Sequence, residues 1–244
     1  MASLHNTEGI VLHQMKYGES SVIAKIYTEK FGLQSYIVKG VRSKKSRTKY
    51  NLFQPGNILD MVVYYREKSS LRNIKEVRMG HHYESISFDV VKGSVLLFMT
   101  EVLYKSIYEE ETNADMYGFI RESLLSLDTS KEAFSDHHLL FMVGLTAYLG
   151  FFPRCEAWKE DRYFDLQEGQ FVVVKPMHDH WLSPELATSF YRLVNKLKNP
   201  SLDLNMDNLK RKVLLEKLIE YYRLHMPLFR EIHSHQVLGE VLSG

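Results

Sequence analysis

Five short segments with the character of β-strands, separated by turns, fill the first 80 residues and restrict what this region can fold into. The segments are rich in β-branched and aromatic residues, and glycine or proline stands in most of the turns between them. Five strands with one long connection, between the third and the fourth, predict a small closed barrel of the OB type. An SH3-like barrel is the alternative that strand counting leaves open. The predicted strands cover 8–15, 22–27, 33–39, 58–66 and 71–79.

From residue 89 onward the apolar residues recur with the helical period. The third predicted helix is apolar on all sides, so we expect it to be the most buried one. The tail after residue 226 is expected to pack back on the helices. The predicted elements are helices at 89–108, 114–127, 135–148, 183–197 and 207–225, and a β-hairpin at 162–174.

The expected fold class is therefore α+β, with two domains. Residues 1–80 would form an OB-fold nucleic-acid-binding domain, a five-stranded β-barrel. Residues 81–244 would form a mostly α-helical domain with a small hairpin insertion near 155–180.

Charge is distributed unevenly along a chain whose formal net charge is only +1. Residues 1–80 contain 14 Lys and Arg against 6 Asp and Glu, a net of +8, whereas residues 81–244 have a net of −7. Residues 39–49, which we call the basic segment, hold much of this charge and no acidic residue. The six cations of the basic segment are Lys39, Arg42, Lys44, Lys45, Arg47 and Lys49.

The basic segment predicts a polyanionic partner. Six cations on a short connection repel one another, and a nucleic-acid backbone relieves that repulsion. A merely solvated loop is the competing interpretation, but such loops usually mix both signs of charge. OB barrels also stack bases on aromatic rings. Tyr36 and Tyr50 bracket the basic segment and are therefore the first candidates for stacking on bases. Most tyrosines of a barrel pack in its core or at its edges. The further candidates are Tyr17, Tyr64 and Tyr65.

Motifs for catalysis are missing from the sequence. It contains no GxxxxGK[ST] or GxGxxG phosphate loop, no GxSxG nucleophile motif and no HExxH zinc motif. Cys155, His178 and His180 would supply three metal ligands, and a structural zinc site needs four. The single cysteine excludes an internal disulfide and suits a reducing cytoplasm. We therefore expect no enzyme, no cofactor and, because no apolar run reaches the ~18 residues of a membrane span, no membrane partner.

The run Lys-Gly-Val-Arg-Ser-Lys-Lys-Ser at 39–46 is the most specific of several stretches that together resemble the RecO family of bacterial recombination mediators. The likeness extends over essentially the whole chain. The other stretches that carry the resemblance are 7–12, 17–21, 28–32, Gln54-Pro55 and Leu71-Arg72 in the barrel region, and 148–151, 223–225 and Ser234 in the helical region.

The resemblance implies a DNA-binding mediator of repair and recombination, located in the cytoplasm with the nucleoid. It implies binding of single- and double-stranded DNA and annealing of complementary strands. It also implies partnership with RecR and with the acidic C-terminal tail of SSB, through which RecA is loaded onto SSB-coated DNA. Many members carry a four-cysteine zinc module after the central helix. This sequence has only Cys155 there, so the resemblance implies no zinc for it.

Site residues follow from the charge pattern and the resemblance together. The six cations of the basic segment and Tyr36 are expected to hold DNA, with Arg66, Lys68 and Arg72 extending the track. An acidic tail needs cations beside apolar walls. The candidates for this partner site are Lys210, Arg211, Lys212, Lys217 and Arg223 on the last long helix.

Three other interpretations stay open at this point. An OB-fold RNA-binding protein would carry the same cations. An unrecognised enzyme would assemble its residues between the two domains from distant parts of the sequence. A scaffold would dock its basic domain on the acidic half of a second copy.

Overall fold

The computed structural model describes residues 3–41, 50–66, 69–108, 111–130 and 134–243. The chain forms two compact units, Met1–Thr129 and Ser130–Gly244. In the described part, the first unit holds a five-stranded barrel and two helices, and the second holds four helices and a small three-stranded sheet. The α+β class expected from the sequence is confirmed.

The barrel closes through pairing of its first strand with its fourth. The strand order is β1-β2-β3-β5-β4. β3 and β5 run parallel, and the other neighbours run antiparallel. This topology confirms the predicted OB-type barrel. The strands are β1 (Ser3–Tyr17), β2 (Ser21–Thr28), β3 (Gly32–Val38), β4 (Ile58–Tyr65) and β5 (Arg72–Met79).

β1 closes the barrel because its middle pairs on both sides. Gly9 takes part in the β1–β2 ladder and in the β1–β4 ladder. A Cβ atom at Gly9 would lie 2.7 Å from side-chain atoms of Ile26 and Met61. Glycine therefore lets the three strands approach closely at this point. A β-bulge follows Val11, and such bulges bend a strand.

Side chains from all around the barrel fill its interior. Tyr36 and Phe53 are the largest of them, and both are fully buried. Fully burying one valine, leucine, isoleucine or phenylalanine side chain contributes about 2 kcal/mol of transfer free energy, so the interior is a substantial core. Its other buried members include Val11, Val22, Ile26, Leu59 and Val63.

A carboxylate ties the second of the two helices of the first unit to the barrel. They are α1 (Val90–Ser106) and α2 (Ala114–Thr129). Glu8 of β1 accepts hydrogen bonds from the Tyr117 hydroxyl at 2.9 Å and from Arg121 Nε at 2.8 Å. The barrel and α2 are thus joined through a charge-assisted pair.

A second carboxylate holds the segment that leads from the barrel to α1. Asp128, near the end of α2, accepts hydrogen bonds from the backbone N–H groups of Glu84, Ser85 and Ile86 at 2.9, 2.8 and 3.0 Å. Burial alone would raise the pKa of this carboxyl group, but the backbone donors outweigh it and hold the pKa at about 2. Asp128 is therefore ionised at neutral pH and fixes the linking segment.

The compact units consequently divide after residue 129, whereas the sequence predicts a domain division after residue 80. The change from strands to helices lies between Met79 and Val90, as the sequence predicts. The sequence gives no signal for the surface against which α1 and α2 pack. The functional division at residue 80 stays a prediction.

The second unit is organised around the helix that the sequence identifies as most buried. Residues 139 and 141–145 of α3 are almost fully inaccessible. The Tyr222 hydroxyl donates to the Met142 carbonyl at 2.7 Å inside this core. The elements are α3 (His137–Leu149), β6 (Tyr163–Asp165), β7 (Gln170–Val172), β8 (Trp181–Leu182), α4 (Pro184–Lys196), α5 (Asn208–His225) and α6 (Ser234–Ser243).

Local sequence explains where these helices begin and end. The Ser183 side chain caps α4, and Pro184 occupies its first position, as predicted. Gly150 ends α3 with a positive φ of 85°. Two elements were not predicted: β8, which extends the hairpin to the sheet order β7-β6-β8, and the terminal helix α6. Within the described residues, no helix combines the length and the apolar character needed to cross a bilayer.

Candidate nucleic-acid interface

The basic segment leaves and rejoins the barrel through buried anchors. β3 ends at Val38, Lys39 is exposed, and Val41 is buried with the barrel core. The chain re-enters with a short 3₁₀ helix, Tyr50–Phe53, whose Phe53 is also in the core. The predicted DNA-binding residues Arg42, Lys44, Lys45, Arg47 and Lys49 lie outside the described residues.

The turn between β1 and β2 lies at the same end of the barrel as the start of the basic segment. Val22 pairs with Val38 on one side and with Lys16 on the other. Tyr17, next to Lys16, is 52% exposed. Lys16 is exposed as well. Strand register brings it to the end of the barrel where the basic segment starts, and register cannot be read from a sequence whose strand pairing is unknown.

Tyr36 does not belong to this surface, which corrects the sequence prediction. Its side chain is fully buried in the barrel core, so it presents no ring face on which a base stacks. Burial raises the pKa of its hydroxyl well above the ordinary value. Tyr50, the other flanking tyrosine, is half-buried against the same core. Tyr17 is therefore better placed for stacking than either.

Arg72 is also buried, at 3% exposure, which removes it from the predicted phosphate track. Its guanidinium lies 5.0 Å from the centre of the Tyr65 ring. Tyr65 in turn stacks on Phe31, with ring centres 4.1 Å apart. This packing makes Arg72 part of the barrel wall. Arg66 is exposed, and Lys68 lies outside the described residues.

A polar groove on another side of the barrel does not suit a polyanion. It has a volume of about 600 Å³ and is lined by strands β1, β4 and β5 and by the turn after β2. Four carboxylates face it against two cations, and one of these cations, Arg78, is paired with Asp60 at 3.1 Å. The other lining charges are Glu8, Glu29, Lys30 and Glu76.

The five cations predicted for a partner site separate into two groups. Three of them form ion pairs within the second unit. Lys212 and Arg223 are exposed and form no ion pair within the described residues. The pairs are Lys210 with Glu185 at 2.9 Å, Arg211 with Asp136 at 2.6 Å and Lys217 with Glu220 at 2.8 Å.

Two of these cations, Arg211 and Lys212, line a cavity of about 520 Å³ in the second unit. We call it the C-terminal cavity. Its walls come from the start of α3, from α5 and from α6, and they include Leu215, Gly239 and Glu240. Lys210, Lys217 and Arg223 do not line it.

His138, at the start of α3, lines the C-terminal cavity. Burial lowers the pKa of its imidazole to about 3, and the positive charge of Arg211 acts in the same direction. The imidazole is therefore neutral at physiological pH. Charges of both signs line the cavity, Arg211 and Lys212 against Glu216 and Glu240, with the apolar side chain of Leu215 beside them. Arg211 is paired with Asp136, so Lys212 is the cation that forms no ion pair within the described residues.

The predicted trio of possible metal ligands is not assembled. His178 Nε2 lies 3.3 Å from a carboxylate oxygen of Asp165, and His180 Nδ1 lies 2.5 Å from one of Glu220. Burial raises the pKa of Cys155 to about 11, which disfavours the thiolate that binds zinc. In the described ranges, no three His, Cys, Asp or Glu residues are placed to hold a metal ion. The donor set does not fit the zinc of related sequences.

Aromatic packing supports the small sheet of the second unit. Trp158 and Tyr191 stack with ring centres 3.8 Å apart and almost parallel planes. Phe164 of β6 packs against Phe171 and Phe190 at 4.9 and 4.7 Å between ring centres. Contacts of this kind stabilise a small module beyond the area that they bury.

Comparison with known proteins gives the same family for both parts of the chain. The family model described as "Recombination protein O N terminal" matches residues 1–83. The model described as "Recombination protein O C terminal" matches residues 87–231. The two models meet close to the end of β5.

Three relatives that match over nearly the whole chain are named "DNA repair protein RecO". The relative from Phocaeicola vulgatus is 35% identical over 241 residues, which cover 98% of this chain and 100% of the relative. That from Bacteroides fragilis is 36% identical over 239 residues, 98% of this chain and 99% of the relative. That from Flavobacterium psychrophilum is 35% identical over 97% of this chain. The chain therefore belongs to the RecO family of DNA repair proteins.

Proposed function

We propose that the barrel binds single- and double-stranded DNA through the basic segment and anneals complementary strands. The observation that carries the proposal is the charge of the segment together with the place where it starts. Six cations without an acidic residue begin at the exposed Lys39, at the end of the barrel that also carries the exposed Lys16 and Tyr17. Family membership supports a role in DNA repair.

The chemistry required is charge neutralisation rather than bond making. Lysine and arginine side chains contact phosphates and release bound counterions, which makes affinity depend on salt but hardly on sequence. Two strands held on the same cations repel each other less, so their bases find partners more often. Tyr17 offers a stacking surface at the base of the segment, and the exposed Arg66 extends the positive surface. The proposal includes no catalytic step.

We further propose that, together with RecR, the chain helps to load RecA onto SSB-coated DNA. We place the contact with the acidic tail of SSB on α5, where the exposed Lys212 forms no ion pair within the described residues and lies beside Leu215 at the edge of the C-terminal cavity. An acidic peptide that ends in an aromatic residue needs cations for its carboxylates and an apolar wall for its ring. The full chain should be used for peptide titrations, because the first two helices pack with the barrel.

Annealing of complementary strands coated with SSB tests the proposal. The triple variant Arg42→Ala, Lys44→Ala, Lys45→Ala should anneal at least about tenfold more slowly, since each lost phosphate contact weakens binding. A matched control removes three exposed cations of the second unit, Lys159, Lys198 and Arg230, and should anneal like the wild type. Equal rates for both triple variants would remove the basic segment from the mechanism.

Competition with RNA separates the main alternative. Matched DNA and RNA oligonucleotides should compete for the same surface, because phosphate contacts do not distinguish them. A large preference for RNA would favour the RNA-binding interpretation. A preference for DNA, or equal affinity, agrees with the proposed function.

A further inference from the structure

Apolar side chains form a row across the outside of three barrel strands. Val22 and Ala24 of β2 belong to the barrel core, so Ile23 between them faces outward. Strand register places Met15 of β1 on one side of Ile23 and Ile37 of β3 on the other. Met15 is 44% exposed, and Ile23 and Ile37 are half-buried. We call Met15, Ile23 and Ile37 the apolar row.

The apolar row leads into the start of the basic segment. β3 ends one residue after Ile37, and the exposed Lys39 follows. Two strand residues span about 7 Å, so Lys39 and the row lie within reach of one nucleotide. Tyr17 is the next outward-facing residue of β1 after Met15, and its ring is 52% exposed. The row and the start of the basic segment therefore form one continuous surface.

On the other side of the apolar row, the barrel carries a cation and a wall. The next residues in register are His13, Lys25 and Ser35. Lys25 forms no ion pair within the described residues. The His13 ring stacks on Tyr104 of α1, with ring centres 4.4 Å apart, so α1 borders the surface here. Burial lowers the pKa of His13, and the charge of Lys105 acts in the same direction, so the imidazole is neutral at pH 7.

This arrangement fits a single nucleic-acid strand better than a duplex. Cations on both sides of an apolar stripe bind phosphates while the stripe covers the faces of bases. None of the outward-facing residues in these rows is acidic, and the nearest acidic side chain in sequence, Glu19, lies in the exposed turn after β1. In a duplex, the bases stack on one another, so their faces are not available to the row.

We propose that the apolar row binds the unpaired bases of a single strand whose phosphates are held by the basic segment and Lys25. The inference rests on the proposed function, because it needs a strand held by the basic segment. It adds specificity, since the row strengthens binding of single-stranded DNA and leaves binding of duplex DNA unchanged. Contacts with base faces release no counterions, so they should not alter the salt dependence of affinity.

Oligothymidylate and an abasic strand of the same length test the row, because both carry the same phosphates and only the first carries bases. The wild type should bind oligothymidylate at least about tenfold more tightly than the abasic strand. The double variant Ile23→Thr, Ile37→Thr keeps β-branched residues in the strands but replaces apolar surface with hydroxyl groups. It should reduce this preference at least about threefold, with duplex affinity and salt slope like those of the wild type.

Two further variants guard against an effect on folding. Met15→Thr makes the same test at an exposed position and should reduce the preference about twofold. Val62→Thr is the matched control, because Val62 is half-buried on the outside of β4 in the wall of the polar groove, and it should keep the wild-type preference. If the row variants keep the wild-type preference, or lose affinity equally for oligothymidylate, abasic strand and duplex, the inference is wrong.

The triple variant Arg42→Ala, Lys44→Ala, Lys45→Ala separates this inference from the proposed function. It should lose affinity for oligothymidylate and for the abasic strand by the same factor, because it lacks phosphate contacts alone. If it binds both strands like the wild type, the proposed function is wrong and the inference fails with it. If it loses affinity while the row variants bind like the wild type, phosphate binding by the basic segment stands and only the apolar row is wrong.

Discussion

Two tyrosines show how strand register decides which side chain is exposed at the end of the barrel where the basic segment starts. Tyr36 precedes the basic segment closely in sequence, but closure of the barrel puts its ring in the core. Tyr17 is further away in sequence, yet pairing of β1 with β2 and of β2 with β3 brings it to the same end of the barrel. Nearness in sequence to the basic segment therefore does not indicate which of the two rings is exposed.

Tyr17→Ala should weaken binding to single-stranded DNA by about 1–2 kcal/mol, because a stacked base loses its platform. Tyr17→Trp should retain the affinity, and both variants should unfold at the wild-type midpoint, since the side chain is exposed. Fluorescence titration with an oligothymidylate measures the affinities. Equal affinity of Tyr17→Ala and wild type would exclude stacking at this residue.

Tyr36→Phe should leave DNA binding unchanged. The Tyr36 hydroxyl is buried without a hydrogen-bond partner among the described residues, so its removal costs little stability. Tyr36→Ala, by contrast, should destabilise the fold by about 3–5 kcal/mol through the cavity that it leaves. Urea unfolding distinguishes the two variants. A loss of DNA affinity in Tyr36→Phe would restore Tyr36 as a binding residue.

Asp128 is the residue whose ionisation contributes most clearly to stability. Its folded pKa, about 2, lies below the ordinary value of an aspartate. A lowered folded pKa stabilises the native state fully above the unfolded pKa, and the stabilisation is lost as the pH falls through the folded pKa. The contribution is about 2 kcal/mol, complete above about pH 5 and lost between about pH 4 and pH 2.

Asp128→Asn should lower the free energy of unfolding by about 2 kcal/mol at pH 7, and by clearly less at pH 3. Glu122→Gln on the exposed side of α2 is the matched control and should have almost no effect. Urea unfolding at both pH values measures the difference. A penalty for Asp128→Asn that is the same at both pH values would contradict the ionised carboxylate.

At the scale of elements, patterns that repeat within a few residues were predicted well. Four strands of the barrel and the helices α1 to α5 lie within a few residues of their predicted bounds, because alternation and helical period are local signals. The first strand, predicted at 8–15, is longer and spans Ser3–Tyr17, and its early part pairs with β4 to close the barrel. α4 even begins at its predicted cap, Ser183 and Pro184. The sequence does not predict β8, because its two residues are too few to show the alternation of a strand. It does not predict α6, because Gly239 and the polar residues at its start interrupt the helical pattern of apolar residues.

The small sheet in the second unit should keep its stability without metal. The donor set around Cys155 does not fit zinc, and the stack of Trp158 on Tyr191 supports the sheet instead. A strong chelator should leave the melting temperature unchanged, and Trp158→Ala should lower stability by about 1–2 kcal/mol, since the ring is half-buried and loses its stacking partner. Thermal unfolding with and without chelator measures both. A fall in melting temperature on chelation alone would indicate a metal site.

In the whole molecule, the boundary between the two family-model matches differs from the boundary between the two compact units. The family models meet between residues 83 and 87, whereas the compact units meet after residue 129. Glu8 and Asp128 explain the difference, since each binds groups on the other side of residue 80. Such long-range contacts leave no local trace in a sequence.

A chain of residues 1–129 should therefore unfold cooperatively, and a chain of residues 1–80 should be less stable or unfolded. The shorter chain lacks Tyr117, Arg121 and Asp128, and it exposes the barrel surface that α1 and α2 cover. Urea unfolding followed by circular dichroism compares the two. Equal midpoints would show that the barrel does not need the first two helices.

The central claim for the whole molecule is that the basic segment binds the phosphates of DNA. The most direct test is the salt dependence of affinity for single-stranded DNA in the triple variant Arg42→Ala, Lys44→Ala, Lys45→Ala. The logarithmic slope should become smaller by about 2, because three phosphate contacts contribute about 0.7 each. The triple variant of Lys159, Lys198 and Arg230 should keep the wild-type slope. An unchanged affinity and slope in the basic-segment variant would contradict the claim.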